Sequence, residues 1–81
     1  MPKYYFHFVG TADDVTPDEE GTELRDDQVA LQFATRIARD LVAEFVAEGE
    51  QIDDHRIDVM EGARRVGSVR LRDVVRMGPE Q

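Results

Sequence analysis

Four of the six aromatic side chains of this chain lie in one hexapeptide, Tyr4-Tyr5-Phe6-His7-Phe8-Val9. Aromatic and β-branched residues favour the pleated surface of a strand, and no glycine or proline interrupts the stretch. Because side chains alternate across a strand, the aromatic residues at positions 4, 6 and 8 share one face, whereas Tyr5, His7 and Val9 share the other. The hexapeptide therefore predicts a strand with one wholly aromatic face, and its second face is either half-covered or meets a partner.

Length and composition predict a single small soluble domain. The chain has 81 residues, which we expect to fold as one domain over residues 1–77 with a frayed tail at residues 78–81. It contains no cysteine, which excludes disulfides and thiolate metal sites. No apolar run approaches the roughly 20 residues of a membrane span, and no signal peptide precedes the first strand. These features predict a cytoplasmic protein.

The chain is acidic, and its charge is unevenly distributed. The net charge is −8; residues 1–61 hold five basic and sixteen acidic groups, whereas residues 62–81 hold five basic and two acidic ones. Overall acidity makes nucleic-acid binding an unlikely function, although the basic end keeps that option open locally. We expect this end to form a solvated face or to pair with acids of the chain or of a second copy. Its basic residues are Arg64, Arg65, Arg70, Arg72 and Arg76.

Residues 10–24 are acidic and rich in turn formers, among which Pro17-Asp18 and Gly21 are the clearest signals. The proline argues against a central strand, although a short edge strand near Val15 or at residues 22–24 fits the pattern. The acids lack the alternating D-x-D-x-D-G ligands of an EF-hand loop. We therefore prefer a solvated acidic loop over a calcium site.

A long amphipathic helix is predicted from about residue 27 to residue 48. Asp26 is a good N-cap, and Gly49 suits the C-terminal end. At 100° per residue, one apolar stripe comprises Ala30, Ala34, Ile37, Leu41 and Phe45, flanked by Phe33, Leu31, Ala38 and Val42. The opposite face carries Gln32, Arg36, Arg39 and Asp40. The small alanines would let this helix lie close to an aromatic sheet, so the stripe is interpreted as core.

The last third of the chain predicts a β-hairpin. Residues 55–61 alternate, with Ile57 and Val59 directed inward and Arg56, Asp58 and Met60 outward. Residues 61–64 form the turn, where Gly62 tolerates positive φ, and residues 65–71 return with Val69 and Leu71 inward. Gly67 marks a bulge or a close approach, and residues 73–77 either extend the strand or form one helical turn.

The predicted architecture is α+β, with one long amphipathic helix packed on a three- to four-stranded antiparallel or mixed sheet in the order β-(β)-α-β-β. If the first strand paired with residues 55–61 in parallel, the crossover through the helix would be right-handed. One helix covers one sheet face, so the other face stays open. That face holds Tyr5, His7 and Val9, and the sequence offers no partner within the chain for Tyr5 or His7.

The opening Pro2-Lys3-Tyr4-Tyr5-Phe6-His7-Phe8 resembles small bacterial proteins of a domain family of unknown function, DUF6894. In that family a Y-Y-F-H start precedes an acidic D-x-x-G-x-E-L segment, an alanine-rich helix and a closing hairpin. This chain has Asp18-Glu19-Glu20-Gly21-Thr22-Glu23-Leu24 at the corresponding place. The likeness covers roughly residues 2–71 and departs at the hairpin, where Met60-Glu61-Gly62-Ala63 replaces the Asp-Glu-x-Gly turn. The resemblance implies a fold and no activity.

Residues with catalytic or metal-binding chemistry are few. His7 and His55 could share a divalent metal with Asp53 or Asp54 if their strands were neighbours, but we prefer histidines that bond to backbone or carboxylate groups and shape the sheet surface. The one serine, Ser68, lies in a strand beside a glycine and outside any nucleophile elbow. We therefore expect no enzyme activity, no cofactor and no small-molecule substrate.

The preferred function is a protein-interaction module that self-associates, as a homodimer, through its exposed sheet face or edge, or binds an unknown protein. The candidate surface is Tyr5, His7, Arg56, Asp58, Arg70 and Arg72. In such a dimer the arginine-rich hairpin of one copy would meet the acidic loop of the other. The alternative is an antitoxin-like regulatory component of a protein–protein or DNA assembly, because the topology resembles that of small HicB-like domains that cap a toxin.

Overall fold

The computed structural model describes residues 1–77 and has the predicted α+β architecture; the tail predicted to fray lies outside the described residues. Its strands are β1 (Lys3–Val9), β2 (Val15–Thr16), β3 (Thr22–Glu23), β4 (Arg56–Glu61) and β5 (Arg64–Arg70). Its helices are α1 (Asp27–Ala47) and α2 (Leu71–Met77), and one 3₁₀ turn spans Thr11–Asp13. None of the described helices is long and apolar enough to cross a membrane.

The five strands form one antiparallel sheet in the order β2-β1-β4-β5, with β3 beside the other end of β1. Both short edge strands that the acidic segment allowed are therefore present, and both lie on the outer edge of β1. The central pairing places Phe8 opposite Ile57 and His7 opposite Asp58. Because β1 and β4 are antiparallel, the right-handed crossover that a parallel pairing would need does not arise.

Helix α1 begins and ends as predicted. The Asp26 carboxylate caps the first turn by accepting the N–H of Val29 at 2.9 Å, and Gly49 follows the helix with a φ of 72°. The fully buried positions are Ala30, Ala34 and Ala38, so the centre of the contact runs through alanines only.

The larger residues of the predicted stripe, Ile37, Leu41 and Phe45, lie to the side of this centre and are half-buried. The larger side chains flank the contact because only small ones fit where the helix axis lies closest to the aromatic sheet.

The aromatic face of β1 forms the core with α1, as predicted. Tyr4 is only 1% exposed, and the ring of Phe6 lies 5.1 Å from that of Phe33. At the other end of the strand, the ring of His55 stacks on Phe8 at 5.7 Å and meets the edge of Phe45 at 4.9 Å. Aromatic pairs at such distances add to the stability that burial provides.

The hairpin forms with one irregularity and an earlier end than predicted. Gly62 has the expected positive φ of 61° in the turn. Leu71, predicted as the last inward residue of β5, is fully buried but starts α2 instead. A register shift after Val59 confirms the bulge predicted near Gly67, whose missing Cβ would lie 3.2 Å from Leu31 of α1.

Candidate interaction surface

The sheet face turned away from α1 carries most of the polar side chains of β1, β4 and β5. We call this surface the open face, and it comprises Tyr5, His7, Arg56, Asp58, Met60, Arg65, Ser68 and Arg70. The register of the strands places them there, because each lies opposite another member or alternates with a core residue. Val9 was predicted to be exposed here, but only 2% of it is accessible, so the open face ends before that residue.

The acidic segment of residues 14–23, which we call the acidic strap, is held at the outer edge of β1 by the short strands β2 and β3 and, between them, by one carboxylate. Asp18 accepts hydrogen bonds from the backbone N–H groups of Phe6 at 3.1 Å, Glu20 at 3.2 Å and Gly21 at 3.2 Å. In return, the N–H of Asp18 donates to Nδ1 of His7 at 3.0 Å. Between β2 and β3 the edge of β1 has no strand partner, and there the carboxylate accepts the backbone N–H of Phe6 in place of a strand.

These contacts correct the expectation that Tyr5 and His7 lack partners within the chain. The imidazole of His7 is oriented by Asp18, and its ring stacks on Tyr5 with centroids 6.4 Å apart. Partial burial would raise the pKa of Asp18, but the N–H donors of Phe6, Gly21 and Glu20 outweigh it and lower that pKa. Asp18 therefore stays ionised and keeps the strap in place.

Gly21 completes the attachment of the strap. Its φ is 74°, and a Cβ at this position would lie 2.9 Å from both Cγ of Lys3 and Cε2 of Tyr5. No side chain other than hydrogen fits there without displacing a neighbour. The spacing D-x-x-G in the acidic segment is thus explained by a carboxylate that accepts three N–H groups and a glycine pressed against β1. The exposed acids of the strap are Asp14, Glu19, Glu20 and Glu23.

The two histidines lie on opposite faces of the sheet and do not form the metal site considered above. His7 belongs to the open face, whereas His55 is packed among core aromatic rings and accepts the N–H of Asp53 at Nδ1, 3.3 Å away. Among the described residues, no group of three or more histidine, aspartate and glutamate side chains could hold a metal ion. His7 has instead the surface-shaping role described above.

A concavity of about 530 Å³ lies on the open face, and we call it the arginine hollow. Four guanidinium groups line it, together with small residues of the loop after β1, one serine of β5 and one aspartate before β4. The lining residues are Arg56, Arg65, Arg70, Arg72, Gly10, Ala12, Ser68 and Asp54. This is a concentration of positive charge in a protein whose net charge is −8.

Carboxylates neutralise the hollow only in part. Asp58, whose side chain is 15% exposed, accepts Arg56 Nε at 2.9 Å and Arg65 at 3.3 Å with the same oxygen. Arg72 lies 3.5 Å from Asp54. Among the described side chains, no ion pair of Arg70 is found, and Arg70 lies directly opposite Arg56 of the neighbouring strand β4. Like charges in such cross-strand positions repel each other.

The structure brings together the predicted surface residues and adds one that the sequence concealed. Five of the six predicted residues lie on the open face, namely Tyr5, His7, Arg56, Asp58 and Arg70. The sixth, Arg72, reaches the hollow from α2. Arg65 was missed because strict alternation from Val69 would direct it inward. The bulge inserts Val66 and thereby turns Arg65 outward, opposite Met60. Gly67 was the only signal of this change.

A second charged cluster lies on the helix side of the sheet, where the turn of the hairpin meets the start of α1. Arg64 donates to both carboxylate oxygens of Asp27, at 2.9 and 3.0 Å, and also to Glu61. The buried hydroxyl of Tyr4 donates to Asp27 at 2.8 Å. The hydrogen bonds from Arg64 and, to a smaller extent, from Tyr4 lower the pKa of Asp27 to about 2. Burial and, to a smaller extent, the hydrogen bond to Asp27 raise the pKa of Tyr4 to about 12. This cluster joins core elements and is satisfied internally.

Comparison with known proteins identifies the family. The matching family model is described as Domain of unknown function (DUF6894), and the match covers residues 3–76. The matched range includes the Y-Y-F-H start and the D-x-x-G turn, which are hydrogen-bonded to each other at the edge of the sheet. No curated protein and no solved structure gives a significant match. With almost its whole length matched, the chain belongs to the DUF6894 family.

Proposed function

We propose that this protein is a small, non-enzymatic interaction module that self-associates through its open face, so that the partner is a second copy of the same chain. The observation that carries the proposal is the separation of charge across the sheet. The arginine hollow lies along β4 and β5, and the acidic strap lies on the far edge of β1. Each surface is complementary to the other, and complementary charges direct association and fix its register.

The strand order determines which symmetric arrangement fits. A twofold axis parallel to the strands, between two facing sheets, places β5 of each copy over the β2–β3 edge of the other. Both hollows would then face an acidic strap. An axis across the strands would instead place the arginine-rich β5 of one copy over β5 of the other, and these like charges would repel each other. The proposal therefore commits to the first arrangement.

Pairing through the edge of β5 is the less favourable route. The edge strand β5 carries Arg64, Arg65 and Arg70. Charged residues on an exposed edge strand are a common device that prevents pairing with another strand. The open face is therefore favoured over the edge.

The test is the molar mass in solution, measured by light scattering and sedimentation as a function of protein concentration and salt. We expect a concentration-dependent dimer that weakens as salt increases, because the contact is electrostatic. Arg70→Glu should dissociate it, whereas Arg36→Glu, the same change on the solvent face of α1, should not. A mixture of Arg70→Glu with Asp14→Arg should restore association between the two variants, because the strand register places Asp14, which precedes Val15, at the level of Arg70.

Two results would contradict self-association through this face. One is a monomer up to millimolar concentration whose behaviour Tyr5→Ser leaves unchanged. The other is a dimer that responds equally to Arg70→Glu and Arg36→Glu, because such a dimer would depend on net charge and not on the hollow.

A further inference from the structure

We propose that the arginine hollow binds a phosphate group, either free or carried by a small molecule. The inference goes beyond self-association because it concerns a single copy. Guanidinium groups present planar pairs of N–H donors that match phosphate oxygens, and four of them line this one concavity. Among the described side chains, two carboxylates contact these four guanidinium groups, Asp54 and Asp58, and they leave a local surplus of two positive charges. A phosphate monoester carries about −1.5 to −2 near neutral pH, which balances that surplus.

The arginines of the hollow are arranged at a cost to the fold. Arg56 and Arg70 lie directly opposite each other on adjacent strands, and no ion pair of Arg70 is found in the described part of the chain. Like charges at such positions destabilise a sheet. An anion bound between them would remove the repulsion and stabilise the folded state, with a free energy that grows as the logarithm of its concentration above Kd. The phosphate group is therefore placed between Arg56 and Arg70.

The size and lining of the hollow suit a small ligand. Its volume of about 530 Å³ lies within the range of about 300–1,000 Å³ typical of small-molecule sites, and it exceeds the volume of phosphate alone. Gly10 and Ala12 allow close approach, and the hydroxyl of Ser68 can donate a hydrogen bond. A net charge of −8 repels a long polyanion, which favours a small molecule over nucleic acid.

Two of the existing ion pairs can be exchanged for the ligand. Arg65 lies 3.3 Å from Asp58 and Arg72 lies 3.5 Å from Asp54, and both guanidinium groups are about half exposed. The exposed pair of Arg72 contributes little to stability, and Asp58 keeps Arg56 as a partner when Arg65 moves, so both side chains can turn towards an anion at low cost. Arg56, which Asp58 holds at 2.9 Å, provides a fixed donor beside them.

The experiment is an NMR titration of the arginine Nε–H and backbone N–H signals at constant ionic strength. The probes are inorganic phosphate, adenosine monophosphate, succinate and a short single-stranded DNA. We expect phosphate and adenosine monophosphate to shift the Nε–H signals of the four hollow arginines and the amide of Ser68. Tighter binding of adenosine monophosphate would identify a phosphorylated molecule as the source, and equal binding would identify free phosphate. Succinate or DNA binding as tightly as these probes would overturn the proposal.

Variants locate the site. Arg70→Gln should weaken phosphate binding about tenfold or more, because a charge-assisted hydrogen bond is lost. Arg72→Gln should weaken it as well, whereas Arg36→Gln, which removes the same charge from α1, should leave it unchanged. Equal affinity in Arg70→Gln and Arg36→Gln would contradict the assignment.

The same titration on Tyr5→Ser separates this inference from self-association. A variant that is monomeric by light scattering and still binds phosphate shows that the site is complete in one copy. Failure of the Tyr5→Ser monomer to bind phosphate would overturn the phosphate site alone, and a wild-type chain that binds phosphate but stays monomeric would overturn the dimer alone.

Discussion

Replacement of Gly21 by alanine tests whether the acidic strap is fixed to β1 as the structure shows. Gly21 has a φ of 74°, and a Cβ there would lie 2.9 Å from a carbon of Lys3 and from the ring of Tyr5. The substitution therefore has two separate costs, the left-handed backbone conformation and the displacement of side chains on β1. A matched control exists in Gly62, whose φ is 61° and whose Cβ would meet nothing within 4 Å.

The two costs have different magnitudes. A left-handed conformation costs a non-glycine residue about 1–2 kcal/mol, of which alanine recovers a part because its unfolded chain has less entropy. Gly62→Ala should therefore lower the free energy of unfolding by about 1 kcal/mol. Gly21→Ala adds an overpacking cost of about 1–3 kcal/mol, since its neighbours must move by several tenths of an ångström. It should lower stability by about 2–4 kcal/mol, a large share of the about 5–15 kcal/mol that a domain has.

Urea denaturation followed by far-ultraviolet circular dichroism measures this difference. Gly21→Ala should unfold at a clearly lower urea concentration than Gly62→Ala, with a similar dependence of the free energy on urea. Hydrogen exchange supplies a local readout, because the N–H groups of Phe6 and Asp18 lose protection when the strap detaches. Equal stability of the two variants, or unchanged protection of Phe6 and Asp18 in Gly21→Ala, would refute the structural role assigned to this glycine.

Three further predictions concern the helix cap and the charged clusters. Asp26→Ala removes the N-cap of α1 and should cost about 1 kcal/mol in urea denaturation. The pKa of Asp27 is about 2 against an ordinary 3.8, so its ion pair stabilises the fold at pH values above 3.8, and this stabilisation is lost as the pH falls from 3.8 towards 2. Asp27→Asn should abolish that part of the pH dependence of the urea midpoint. Arg70→Thr removes the repulsion from Arg56 and should raise stability by about 0.2–1 kcal/mol, a gain that salt reduces.

Much of the fold was predictable because its signals are local. The alternation of Ile57 and Val59, the cap at Asp26 and the positive φ at Gly62 each depend on a few neighbouring residues, and the structure confirms all three. The bulge near Gly67 was also indicated, but its consequence was not. Beyond a bulge, the side chains that faced inward face outward and the reverse. Arg65 can therefore be placed on the correct face only when the exact position of the bulge is known.

The role of the acidic strap could not be predicted, because it depends on contacts between distant residues. The acids of residues 14–23 were interpreted as a solvated loop, and four of them are indeed exposed. Asp18 differs from these only in being next to the unpaired edge of β1, where it accepts the N–H of Phe6, twelve residues away in sequence. Its one local signal is the glycine three residues later, which is typical of an aspartate-initiated turn.

The asymmetry of charge along the sequence becomes an asymmetry across the sheet, and the layers of the fold explain why it is not cancelled within one chain. Arg64 faces α1, whose first turn supplies Asp27, and the two form a bidentate ion pair. Arg70 lies only six residues later but on the face without a helix, and the strap is on the opposite edge of the sheet. A one-sided α+β fold has no second layer that could bring those acids to Arg70. Its charge is therefore left to groups outside this chain, which is why we propose the strap of a second copy or a small anion as its partner.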